Sequence, residues 1–70
     1  MDEVLTVEEV KKYVLEIENE AHDDEAAHSL EDRLYERVLK HISLGICQDP
    51  VLCCEEALKT QKINFARWCA

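Results

Sequence analysis

The sequence predicts an all-α fold, a small antiparallel helical bundle, and three observations carry that prediction. Apolar residues recur at intervals of three and four along most of the chain. Helix-start signals stand at Thr6, at Asp23 or Asp24, and at Asp49. Gly45 and Pro50 are the only strong backbone breakers in 70 residues, and no period-two apolar run competes for a strand.

The first helix has a complete start signal. Thr6-Val7-Glu8-Glu9 fits a capping box, with the Thr6 hydroxyl accepting from the Glu9 amide and the Glu9 carboxylate reaching back to the Thr6 amide. Leu5 and Val10 occupy the hydrophobic-staple positions around that cap. Val7, Val10, Val14, Ile17 and Ala21 then form one stripe, which predicts helix 1 over about 7–21.

That register fails beyond Ala21, because it would place Asp24, His28 and Glu31 on the apolar seam. A new stripe of Ala27, Leu30, Leu34, Val38 and Ile42, widened by Tyr35 and Leu39, predicts helix 2 over about 24–44. Acids in its first turn and Lys40 and His41 in its last suit the helix dipole. Gly45 is the expected left-handed terminator. A continuous 7–44 helix that dimerises is the competing architecture, and the broken stripe argues against it.

Asp49 as cap and Pro50 at the first helical position open helix 3, over about 50–60, with Val51, Cys54 and Leu58 as its apolar face. Leu52, Cys53 and Ala57 sit nearby. Asn64 offers a further cap, with Ile63 stapled to Trp68, and predicts a short C-terminal helix over 64–69 that brings Phe65 and Trp68 onto the core. The whole chain, 1–70, reads as one domain. Its core must be thin, since a chain this short buries roughly 60% of its unfolded surface.

Charge narrows the function classes. Residues 1–36 carry thirteen acids against Lys11, Lys12 and Arg33, a balance of −10. Residues 37–70 carry Asp49, Glu55 and Glu56 against five cations, a balance of +2. A net charge of −8 offers no electrostatic footprint for binding nucleic acid directly, and an anionic membrane is disfavoured for the same reason. The chain shows neither a bilayer-length apolar run nor a signal peptide at Met1-Asp2-Glu3, so a cytoplasmic location is expected. Four cysteines then read as free thiols used as small hydrophobes, Cys53 being the least committed of them. Their spacing lacks the paired arms of a zinc site.

The sharpest concentration of charge runs from Glu16 to Glu25, with six carboxylates and no Lys or Arg. Most of it has a structural reason at a helix start. Glu18 and Glu20 do not, because they lie near the negative end of helix 1. The expected function is therefore contact with a protein partner, one of basic character, through Glu18, Glu20, Asp23, Asp24 and Glu25, by a monomer or homodimer. Phe65, Trp68 and Tyr35 near Arg37, Lys59 and Arg67 are the alternative contact patch.

The chemical alternative is a metal-binding bundle. Glu25 and His28 have the i, i+3 spacing of di-iron carboxylate proteins, with Glu18, Glu20 or a second copy as further donors. No cofactor is expected otherwise. His41 borders the core. With one Gly there is no phosphate-cradling loop, no Ser/His/Asp spacing stands out, and an enzyme is not expected.

The segments Glu20–Tyr35 and Asn64–Ala70 resemble parts of small, uncharacterised acidic helical proteins of bacterial and phage genomes. The resemblance covers roughly residues 20–70. It implies a compact accessory protein that acts by binding other proteins, and assigns no residue a role.

Overall fold

The computed structural model of the chain describes residues 3–67. Three α-helices, α1 (Val7–Asn19), α2 (Asp24–Ser43) and α3 (Pro50–Leu58), are followed by a 3-10 turn at Lys59–Lys62. The helices pack on one another, and no strand occurs among the described residues. α1 and α2 are separate helices joined by the hydrogen-bonded turn at 20–23, so the continuous 7–44 helix is not formed.

The caps form where their residue types predict them. Thr6, Asp23 and Asp49 each accept from the amide three residues on, Glu9, Ala26 and Leu52 respectively, at 3.1 Å. The Glu9 carboxylate, however, contacts Arg37 at 3.3 Å, tying α1 to α2. At the far end of α2, Gly45 takes φ +73. Its amide bonds to the Ile42 carbonyl and the Ile46 amide to the His41 carbonyl, the paired bonds of a Schellman motif. That turn returns the chain to the start of α1. The Leu5 amide donates to the Ile46 carbonyl and the Gln48 amide donates to the Leu5 carbonyl, both at 2.9 Å. One short bridge thus closes the bundle beside the Leu5–Val10 staple, both of whose side chains are fully buried.

The core gathers Leu5, Val10, Val14 and Ile17 with Ala27, Leu34 and Val38 of α2, and Cys53, Ala57 and Phe65. Two assignments made from spacing differ here. α3 buries Cys53, Ala57 and, one turn on, Thr60, while Val51 and Leu58 are 69% and 52% exposed and Cys54 is half-buried. Small side chains on the inward face let α3 approach its neighbours closely, which the Val51–Leu58 ridge would prevent. Leu39, expected to widen the α2 stripe, is 68% exposed.

The short fourth helical element among the described residues lies at Lys59–Lys62, and residues 64–67, expected to open a helix, are in none. The Thr60, Ile63 and Phe65 carbonyls accept from the Arg67 guanidinium and the Ala66 amide donates to Asp24, so this stretch is bonded to side chains. The Trp68 and Cys69 expectations lie outside the described residues.

Candidate functional site

The five acids expected to form a contact surface do gather at the α1–α2 turn, in two groups with different duties. Asp23 caps α2, and Asp24 accepts from the Ala66 amide at 3.0 Å, holding the C-terminal segment against the start of α2. Both serve the fold. Glu18, Glu20 and Glu25 form no ion pair among the described residues.

Glu18 is exposed on the last turn of α1 and lines a hollow of ≈ 400 Å³ with Lys59, Lys62 and Asn64. Glu20 is the half-buried C-cap residue, its amide bonding to the Glu16 and Ile17 carbonyls. Glu25 is exposed beside Asp23 and Ser29. The last turn of α1 has no basic residue, so nothing on that helix offsets the dipole's negative end.

The Glu25 and His28 pair is arranged differently from a metal-binding pair. Glu25 points to solvent, and His28 Nε2 stands 3.8 Å from Asp32 Oδ1 in an i, i+4 pairing. No group of three or more His, Cys, Asp or Glu placed to hold a metal occurs among the described residues.

A polar cluster that the sequence reading did not single out ties α2 to the C-terminal segment. Glu31, 4% exposed, accepts from Arg67 Nε at 2.9 Å and Arg67 Nη2 at 3.1 Å, a two-pronged guanidinium–carboxylate contact. Arg67 Nη2 also donates to the Thr60 carbonyl at 2.5 Å, and the guanidinium lies 3.9 Å from the Phe65 ring centroid. The Tyr35 hydroxyl donates to Glu31 Oε2 at 3.4 Å and shares a 2.5 Å bond with Thr60 Oγ1. Burial pushes the Glu31 carboxyl up; the hydrogen bonds from Arg67, Thr60 and Tyr35, with the Arg67 charge, outweigh it and bring it below its ordinary 4.5. Burial raises Tyr35, keeping the phenol protonated. The signal for Glu31 was present: it stands four residues after Ala27 and three before Leu34, on the buried stripe itself.

Cys53 is fully buried, and its thiol is pushed up to about 11 by burial and by the adjacent Cys47 thiol. A group so placed is a packing residue and a poor nucleophile at neutral pH. His41 is buried, with Nδ1 2.8 Å from the Arg37 carbonyl, so that nitrogen carries the proton that the carbonyl accepts. Beside it Tyr13, Arg33, Glu36, Arg37 and Lys40 border a shallow hollow of ≈ 240 Å³ on the α1 side of α2.

No helix among the described residues is long and apolar enough to cross a membrane. No family model matches the chain, and neither a curated protein nor a solved structure matches it.

Proposed function

We propose that this protein works inside the cell by protein–protein contact, presenting the acidic α1–α2 turn to a basic partner. One observation carries the reading. Glu18, Glu20 and Glu25 are carboxylates with no ion pair among the described residues, and two of them stand at a helix end where negative charge is disfavoured. Carboxylates that form no ion pair suit an external cation-bearing surface, which such a patch attracts at long range. The free thiols Cys47, Cys53 and Cys54 suit a reducing compartment. The accessory role implied by the resemblance to phage and bacterial helical proteins is of this kind.

The test leaves Asp23 and Asp24 untouched, because both hold the fold together. Glu18→Gln, Glu20→Gln and Glu25→Gln are combined, folding is checked by circular dichroism, and immobilised protein is used to capture basic proteins from a cell lysate. Loss of the captured set in the triple variant, and its release from the parent protein by moderate salt, are the expected results. An unchanged captured set would refute the reading.

A further inference from the structure

The apolar ridge that the spacing in α3 assigned to the core is left outside it. Leu58 of that ridge and Leu39 of α2 flank an open groove of ≈ 260 Å³, lined by Tyr35, Val38, Leu39, Cys54, Ala57 and Leu58. Leu39 and Leu58 are more than half exposed, and Val51, at 69%, stands one turn further along α3 from Cys54. No charged side chain among the described residues lines the groove. Isolated exposed leucines are ordinary; an apolar trough between two helices has the shape that takes the apolar side chains of a docked helix.

The rim decides what fits. Asp32 lies seven residues before Leu39, on the outward side of the same ridge, whereas Glu36 faces the hollow on the α1 side of α2. On α3, Glu55 is three residues before Leu58 and four after Val51. Asp32 and Glu55 are exposed, and the cations of the surrounding elements are paired or face away from the groove. Lys59 bonds to Glu56 at 2.7 Å, Arg67 is held by Glu31, and Arg33 and Lys40 border the hollow on the other side of α2. A second copy brought face to face would set acidic rim against acidic rim, an arrangement that repels. A helix with an apolar stripe and Lys or Arg flanks matches both features.

We propose that the α2–α3 groove docks a basic amphipathic helix of the partner protein, its apolar stripe between Leu39 and Leu58 and its cationic flanks over Asp32 and Glu55. This rests on the reading of the protein as one that binds a basic partner, and it states the chemistry of the partner's contact segment. The acidic turn lies further along α2 on its N-terminal side and attracts the same positive charge.

The probe is a synthetic helix-forming peptide of about 18 residues, roughly 27 Å as a helix, with leucines at three-four spacing and lysines on its remaining faces. Its binding to the full chain is followed by fluorescence anisotropy. Leu39→Ser with Leu58→Ser, both exposed positions, is expected to weaken binding at least about tenfold with the helical circular dichroism unchanged. Asp32→Asn and Glu55→Gln together are expected to weaken binding and flatten its salt dependence. Binding within about twofold of the parent in the serine variant overturns the proposal. So does equal binding of a control peptide whose leucines are serines. Sedimentation of the protein alone is expected to show a monomer; a dimer that the serine variant dissolves assigns the groove to a second copy and also overturns it. If the serine variant keeps the lysate partner while Glu18→Gln/Glu20→Gln/Glu25→Gln loses it, the groove fails and the acidic turn stands. If both variants keep it, both readings fail.

Discussion

Removing Arg67 strands a buried carboxylate, and the size of the loss follows from what Glu31 keeps. In the parent, Glu31 accepts two charge-assisted bonds from Arg67, at 2.9 and 3.1 Å, and one long bond from Tyr35 at 3.4 Å. After Arg67→Ala only the long Tyr35 bond remains for a side chain that is 5% exposed. Breaking a fully buried pair from one side costs about 3–5 kcal/mol. Arg67 itself is 33% exposed, so water already screens its end of the pair and the expected loss is nearer 2 kcal/mol.

A domain of this size rarely has more than about 3–5 kcal/mol in hand, so the variant should lose roughly half its stability. Urea titration followed by circular dichroism reads this as a midpoint lowered by about 2 M, for a slope near 1 kcal/mol/M. Glu31→Met alone should cost less, because the released guanidinium can turn to solvent. The pair Glu31→Met/Arg67→Met should recover most of the loss.

The pH profile supplies a second readout. Glu31 titrates lower in the fold than its ordinary 4.5, so its contribution is fully present above that value and fades as pH falls through the folded value. Arg67→Ala should flatten that acid limb. A loss under about 0.5 kcal/mol with an unchanged acid limb would refute the reasoning.

Further outcomes follow from four single residues. Gly45→Ala meets no atom within 4 Å but must hold φ +73, so urea unfolding should show a loss of about 1 kcal/mol from backbone strain alone. Asp23→Ala should cost about 1 kcal/mol as a lost cap, whereas Glu25→Gln should fall within about 0.5 kcal/mol of the parent by the same titration. Cys53 should resist an aromatic disulfide reagent until the chain unfolds, while the half-buried Cys47 and Cys54 react first. Because the Cys53 thiol moves from 9.0 to about 11 on folding, its contribution is intact below pH 9.0 and is lost as pH rises toward 11.

Helix starts were legible because a cap is a local event. Thr6, Asp23 and Asp49 each need only their own side chain and an amide three residues away, and Gly45 needs only its missing Cβ. Helix ends and faces were less so. α3 carries two candidate stripes, and the choice of Cys53–Ala57 over Val51–Leu58 was made by how closely its neighbours could pack, which no local spacing reveals. The C-terminal segment departs from its helical spacing for a similar reason. Its carbonyls and amide are engaged by Arg67 and by Asp24, residues whose pairing depends on the three-dimensional meeting of α2 with the chain's end.

At the candidate site, the position of the acidic turn was legible from composition. The division of its acids into Asp23 and Asp24, which hold the fold, and Glu18, Glu20 and Glu25, which do not, became visible only in the structure. The groove is invisible in sequence, since the three-four spacing assigns its leucines to the apolar stripes of α2 and α3.

Amide chemical-shift mapping of the isotope-labelled chain, titrated with a basic partner captured from lysate, tests the central claim most directly. Binding through the acidic turn predicts saturable shifts at Glu18, Glu20 and Glu25 that weaken as salt is raised and vanish in the Glu18→Gln/Glu20→Gln/Glu25→Gln variant. Shifts that leave residues 18–25 unmoved, or that persist in that variant, would contradict it.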